Sequence, residues 1–520
     1  MRFPIVVENG SLVKEFVNQN ISISKSDWDS FETSWDFAEH PLLVTSGQCI
    51  VNRKSSVNAK LTTNNSSLST IAQAYQRWKA VCNERFAQLK TNEEELNRIF
   101  IDIYGLQDEL TPEVEEKDVT VHRIFDSKDD VPEAMKGSNY ILTQQQVVKS
   151  LISYAVGCMF GRYSLDKPGL VYAGGEISYQ WIEISGQYYL REVVEKYVAQ
   201  ELQRTYSMAE INVADGGDLP IGEITATRGA IFTFESDAKS SNINSVQYCR
   251  GTSKKLYEGI RELSVNSQGI KCGAGNTAYD LCSPEILDAI ASGTGSELVQ
   301  RGWQDADSID WQAIHCKLTT NHYGADKDAI IPISDNEYFN DDIVARFVEF
   351  IRTAFGADEK TLEANLNFIA AALGGNGSAR DVIRAYFNNG FYADHCKTYQ
   401  KRPIYWLFDS GKKNGFKCLI YMHRYQKDTI ARIRTDYLHE QQSRYRTAIS
   451  DLQNRIDNAA STGVRVKLQK QLATVQAQVE EARLYEEKIH HLADQMFEID
   501  LDDGVKHNYA IFKDVLAKIK

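Results

Sequence analysis

No run of about 18 apolar residues occurs in this 520-residue chain, so no segment reads as a bilayer-spanning helix. The opening MRFPIVVENGSLVKEF has neither the basic flank nor the apolar stretch of a signal peptide, and the expectation is a soluble cytoplasmic protein with no membrane partner. The nine cysteines, scattered from Cys49 to Cys418, form no C-x-x-C pair, which excludes a disulfide framework and fits a reducing compartment. Zinc ligands usually come as closely spaced pairs, so the cluster His315, Cys316 and His322 reads as structural. Asn65-Ser66-Ser67 is formally a glycosylation sequon, and without a secretion route it is a polar loop. G-x-x-x-x-G-K-[ST] and G-x-S-x-G are both missing, which removes the phosphate-cradling loop and the strained nucleophile turn. Gly273-Ala274-Gly275 lacks the further glycines and the acidic partner of a dinucleotide site, and Cys272 with His315 is a chance pairing of nucleophile and base. The carboxylates Asp500, Asp502 and Asp503 miss the spacing of a Ca²⁺ loop and read as an acidic turn. No catalytic, cofactor-binding or metal-ligating residue is identified.

What is present is an ordinary globular mix, 42% hydrophobic and 25% charged, with room for about three domains of roughly 150 residues. The formal net charge is −13, unevenly spread. His395 to Thr447 holds 12 Lys/Arg against 4 Asp/Glu, whereas Glu93 to Asp118 holds 2 against 10. A basic block inside an acidic chain favours phosphate partners.

Periodicity organises the rest. Ile71, Ala74 or Tyr75, Trp78, Cys82, Phe86 and Leu89 recur at helical steps, continued by Leu96, Ile99, Phe100 and Ile103, and predict a helix from about Leu68 to Tyr104, entered from the polar run LTTNNSSLST and stopped by Gly105. The acidic segment after it reads as extended. A second helix is predicted from Gln144 to Tyr163, closely packed through Gly157 and Gly161 and ended by Lys167-Pro168-Gly169. DDIVARFVEFIRTAF and KTLEANLNFIAAAL read as helices closed by Gly356 and Gly374. Ile404 to Phe408 and Phe416 to His423 read as two strands of a hairpin turning through SGKKNG, the first so apolar that it is buried on both faces. A heptad seam from Leu438 to Ile456, broken at NAASTG and resumed from Leu468 to Met496, predicts an antiparallel coiled-coil hairpin. An arm of roughly 30 residues would project some 45 Å, as a spacer or docking arm; the alternative is a hairpin packed on its own domain.

The fold class is therefore α+β and helix-rich, with a long helical spacer, a small mixed sheet or β-hairpin region and the C-terminal hairpin. Its segments are a spacer region over 1–150, a helix and Gly-Gly turn over 151–176, an inserted α+β module over 177–329, an α+β region with the basic hairpin over 330–427, the helical hairpin over 428–500 and a tail over 501–520. The candidate DNA-contacting residues are Lys397, Lys401, Arg402, Lys412, Lys413, Lys417, Arg424, Arg432 and Arg434, read as one cradle for nucleic-acid backbone. The alternative is a solvated basic rim on a packed sheet.

Five stretches carry a resemblance to a known family: Ile21 to Leu43, Asn92 to Val121, Ser150 to Glu176, Ile330 to Ile351 and His395 to Tyr425, followed in the same order by the helical hairpin and LDDGVKHNY. The chain resembles the C-terminal part of the PglX adenine-specific DNA methyltransferases of BREX phage defence. The resemblance places the methyltransferase domain upstream, with Met1 to Ile5 similar to the tail of a target-recognition segment, and leaves roughly 177–329 as an insertion. It implies S-adenosylmethionine as the cofactor of the full-length family and an Asn-Pro-Pro-Tyr/Phe turn holding a flipped adenine. This chain has no Pro-Pro dipeptide, so no catalytic residue carries over and the isolated chain is expected to be inactive. The expected partners are double-stranded DNA and other BREX subunits or a separate methyltransferase portion. Two readings stay open: a DNA-binding scaffold for that methyltransferase, or a non-catalytic module docking other defence subunits through its helical arm. An enzyme hidden in the insertion is a third.

Overall fold

The computed structural model describes residues 10–44, 70–174, 181–207, 282–300, 306–356 and 358–519, and between 211 and 279 the backbone of seven strands. The LTTNNSSLST loop before Thr70, the sequon, the Met1 to Ile5 stretch, the turn at Glu176 and the Gly273-Ala274-Gly275 motif lie outside the described residues, as does the side chain of Cys272. Two compact units emerge, one formed by residues 1–173 with 328–520 and the other by 174–327.

In the larger unit, helix Ile71–Tyr104 starts at Thr70, whose hydroxyl accepts from Gln73 N while the Gln73 side chain accepts from Thr70 N. It stops at Gly105, held in the left-handed region at φ 66°. The predicted stripe is buried from Ile71 to Leu89. Beyond it the pattern departs from expectation, because Asn92 is buried and its amide donates to Gln19 and Asn20 of helix Gly10–Trp28. Ile99 stays buried as expected, whereas Phe100 is exposed and Ile101 is inside.

Helix Gln144–Met159 is one turn shorter than its periodicity predicts, and Lys167-Pro168-Gly169 does not end it. The chain turns through Gly161 at φ 72° and folds Tyr163 back over Gly157. A Cβ on Gly157 would lie 2.4 Å from Tyr163 Cδ2, so the small residue is required by the returning ring.

The basic hairpin is the core of a three-stranded antiparallel sheet, with Lys417–Tyr421 in the centre between Ile330–Pro332 and Tyr405–Asp409. The C-terminal tail extends it: Asp409 N donates to Val515 O and Ala517 N to Leu407 O. Tyr405, Trp406, Leu407 and Phe408 are all buried, as the unbroken apolar run requires. On one face Tyr405 stacks on Phe160 and His395; on the other Trp406 meets Tyr509 and Phe512. Helices Ile343–Phe355 and Glu359–Leu373 end at Gly356 and Gly374 as read. Two further helices, Ala379–Asn389 and Phe391–Thr398, follow and were not read from the sequence. Arg384 reaches from the first of these to Asp342, the N-cap of helix Ile343–Phe355, forming a buried ion pair that also engages Ser334 O.

Helices His439–Asp457 and Thr462–Gln495 pack against each other antiparallel: Arg434 and His439 meet Glu486, and Gln442 lies near Ala482 O. They do not form the freely projecting arm. Val475, Ala482, Tyr485 and Ile489 share a core with Trp406, Phe416 and Cys418, because the sheet's second face needs an apolar cover. Asp500 caps a short 3₁₀ turn at Leu501–Asp503, the acidic turn expected there.

In the smaller unit, strand Gln187–Leu190 lies between Trp181–Ile184 and Ala325–Asp326 and pairs with both, and helices Pro284–Ser292 and Trp311–Asn321 pack through Ile286, Ile290, Trp311 and Ile314. The seven strands between Ile211 and Tyr279 form one antiparallel meander in sequence order. His315 Nε2 meets Ser185 Oγ at 2.9 Å. Among the described residues no group of three His, Cys, Asp or Glu side chains could hold a metal ion.

Candidate functional site

The register of the basic hairpin decides where its cations go. Tyr405 faces Tyr421 and Asp409 faces Lys417 across the strands, so Lys401, Arg402 and Arg424 flank one end while Lys412 and Lys413 form the turn at the other. The expected single cradle is therefore divided. Lys417, between the two ends, is 7% exposed and its Nζ donates to Asn388 O at 2.9 Å; it is a structural residue beside Asp409. Arg432 is paired with Asp328 at 2.8 Å and Arg434 with Glu486 at 2.7 Å, both carboxylates on the larger unit. Arg424 Nη1 donates to Phe160 O, tying the end of the hairpin to the turn after helix Gln144–Met159. Each of these four is engaged by a neighbour as the hairpin closes, which ties it to the fold.

The turn at the far end is held from above. Glu481 accepts from Ser410 Oγ, Lys413 N and Gly415 N, at 2.8, 2.9 and 3.0 Å. Lys412 and Lys413 are exposed in the turn that this carboxylate holds.

The near end is built differently. Helix Phe391–Thr398 delivers Lys397 in its last turn, where a cation complements the helix dipole. The chain then turns sharply through Gln400 and Lys401, both at positive φ (51° and 61°), with Lys401 N donating to Cys396 O and Arg402 N to Tyr399 O. Lys397, Lys401 and Arg402 are exposed, and among the described residues none makes an ion pair. Opposite them lies the loop after helix Gly10–Trp28, carrying Glu32 and Trp35. Trp35 is 97% exposed. Arg162, set by the Gly161 turn, lies 5.2 Å over the Tyr163 ring and donates from Nη1 to Tyr421 Oη at 3.2 Å.

Two cavities open here, of 340 and 280 Å³. The larger is walled by Phe31, Phe37, Trp78, Tyr154 and Phe391. The smaller holds Arg162, Arg402, Tyr399 and Trp35. They share Glu32, Thr33, Phe37 and Thr398. Glu32 accepts a hydrogen bond from Ser153 Oγ at 2.6 Å, and burial raises its pKa, a shift that the Ser153 bond and the Arg162 charge oppose. His40 and His395 are pushed down to about 3 by burial, the second also by the Arg162 charge, so both are neutral imidazoles. His395 Nε2 accepts from Tyr405 N at 3.1 Å. This end thus combines four cations, one carboxyl whose charge is disfavoured, and an exposed indole. Such a set binds phosphate and stacks on planar rings.

Glu32, Trp35 and Arg162 were not singled out by sequence reasoning. A tryptophan in the polar loop DSFETSWDFAEH was the available signal, whereas Arg162 became legible only once Gly157 and Tyr163 were seen in contact.

No family model matches the chain. It is 31% identical over 514 residues to the adenine-specific methyltransferase PglX of Lacticaseibacillus casei (strain Zhang), a match covering 98% of this chain and 28% of that protein. It is 27% identical over 527 residues to the adenine-specific methyltransferase BrxX of Escherichia coli O9:H4 (strain HS), covering 100% of this chain and 30% of that protein. The chain thus spans about three tenths of the length of the curated relatives it matches. Over its whole length the chain is homologous to a part of these PglX and BrxX proteins.

Proposed function

We propose that this chain is the DNA-contacting and scaffolding part of a PglX-type adenine-specific DNA methyltransferase in BREX phage defence, and that it carries no methyl transfer of its own. The observation that supports it is the near end of the hairpin, where Lys397, Lys401 and Arg402 stand exposed with no ion pair among the described residues, and Arg402 shares a cavity wall with the exposed Trp35. Cations held this way by short backbone turns lose little freedom on meeting a phosphate and release its counterions.

S-adenosylmethionine does not fit what this chain presents. In the larger unit the three-stranded sheet is antiparallel, and the parallel strand Ile141–Thr143 enters helix Gln144–Met159 through Thr143 and Gln144 with no glycine, so these elements do not offer the glycine-rich turn that holds such a methyl donor. The methyl donor and its catalytic groups therefore belong to a methyltransferase portion outside this chain, with other BREX subunits as further partners. Purified chain incubated with labelled cofactor and duplex DNA should transfer no methyl group; transfer would overturn the reading. Duplex binding should weaken steeply with added salt, and Lys401→Glu with Arg402→Glu should flatten that slope. An unchanged slope would remove the near end as the contact.

A second reading, docking of another defence subunit through the helical arm, is favoured by Val464 and Val466. Both are exposed in the first turns of helix Thr462–Gln495. Replacing both with lysine should abolish capture of that subunit while leaving DNA affinity unchanged.

A further inference from the structure

We propose that the two cavities meeting at Glu32 form one nucleotide site, with a heterocycle in the larger, aromatic-walled cavity and its phosphate in the smaller one between Arg162 and Arg402. The proposal goes beyond backbone contact, and rests on the DNA reading only where the nucleotide belongs to DNA.

Size and chemistry agree. At 340 Å³ the larger cavity falls in the range of small-molecule sites, and ring faces of Phe31, Phe37 and Tyr154 line it. Polar groups interrupt the rings, among them Glu32, Gln146, Lys149, Asp394 and Lys397, and can meet the edge of a flat heterocycle. Glu32 uses one oxygen for Ser153 Oγ, and among the described residues the other has no hydrogen-bond partner. That oxygen lies at the junction, where it can accept from an exocyclic amino group.

The phosphate side has a matching deficit of partners. Arg162 uses Nη1 for Tyr421, yet its buried Nε has no partner, and the buried hydroxyls of Tyr399 and Tyr405 also have none. Buried polar atoms are rarely left unpaired. Two of these residues, Arg162 and Tyr399, line the smaller cavity and mark where an added acceptor gains most. Arg402 completes the charge from the exposed side. The shared Thr33 and Thr398 make the cavities adjacent, as a base and its own phosphate must be.

Two sources supply this chemistry, a free nucleotide or a nucleotide turned out of duplex DNA, and one experiment separates them. Full chain is titrated calorimetrically with adenosine monophosphate, ribose 5-phosphate and inorganic phosphate. In parallel it is added to a duplex carrying 2-aminopurine, whose fluorescence rises on unstacking. Binding of adenosine monophosphate at least tenfold tighter than that of the two base-free probes supports a site for free nucleotide. A fluorescence rise supports an extruded base. Thr33→Trp, an exposed position that would plug the junction, should reduce either signal at least tenfold, as should Arg402→Glu, with unchanged circular dichroism showing that both variants fold. Absence of both signals, or signals indifferent to Thr33→Trp, overturns the proposal. Salt-sensitive duplex binding with neither signal leaves the DNA reading standing and this one refuted; nucleotide binding without duplex binding does the reverse.

Discussion

Lys401 and Lys413 are both exposed lysines beside a tight turn, at opposite ends of the same two strands, yet they stand in different fields. At the far end the Glu481 carboxylate takes three donors of the turn that carries Lys412 and Lys413 and so sets a negative charge against it. At the near end the one carboxyl between the cavities, Glu32, is disfavoured as an anion by burial, and Asp394 is already paired with Lys149 at 2.9 Å. The cations of the near end are therefore less offset by neighbouring carboxylates than those of the far end. Equal lysine counts in two turns of one hairpin thus carry unequal capacity for phosphate, because the neighbours and not the lysines set the local sum.

The strongest challenge to that contrast comes from the cation between the ends. Lys417→Ala leaves Asn388 O and the half-buried Asp409 without their partner, and should cost about 3 kcal/mol in urea unfolding, since a buried charge without its counterion is left behind. DNA affinity of the folded protein should not change; a loss of affinity without a loss of stability would make Lys417 a contact after all.

Next is the pH response of the near end. Unfolded imidazoles take up a proton near 6.5, whereas folded His40 and His395 do so only at about 3. Between those values the unfolded chain binds more protons, so stability is complete above about pH 7.5 and is lost as pH falls through that window, by about 2 kcal/mol per histidine at pH 5. Urea midpoints at the two pH values read this directly. Titration of either ring near 6.5 by NMR would contradict the burial on which the cavity depends.

Charge reversal then compares the ends themselves. Lys401→Glu with Arg402→Glu should weaken duplex binding at least tenfold near 0.1 M salt, about 1.4 kcal/mol. Lys412→Glu with Lys413→Glu, the smallest effect, should change it less than about threefold. The reverse ranking would relocate the interface to the turn.

Much of the fold could be read in advance where the signal is local. The Thr70 cap, the stop at Gly105, the glycine-closed helices and the apolar strand from Tyr405 to Phe408 all follow from short-range rules. The shortened helix at Met159 and the exposed Phe100 do not. Gly157 accepting the Tyr163 ring and Asn92 meeting Gln19 and Asn20 are encounters between separate elements. The candidate site divides in the same way. The basic block and its aromatic company were visible as composition, whereas the consumption of Lys417, Arg432 and Arg434 by Asn388, Asp328 and Glu486 depended on partners from 29 to 104 residues away.

Local chemistry therefore settled several of the helices and strands, some of their ends, and that one acidic chain carries a cluster of cations; turn sterics, side-chain periodicity and formal charge operate within a few residues. Which cations remain free, which carboxyl sits between two cavities and which indole meets solvent were settled only by packing. Burial and pairing are properties of neighbours in space, and no short window of sequence contains them.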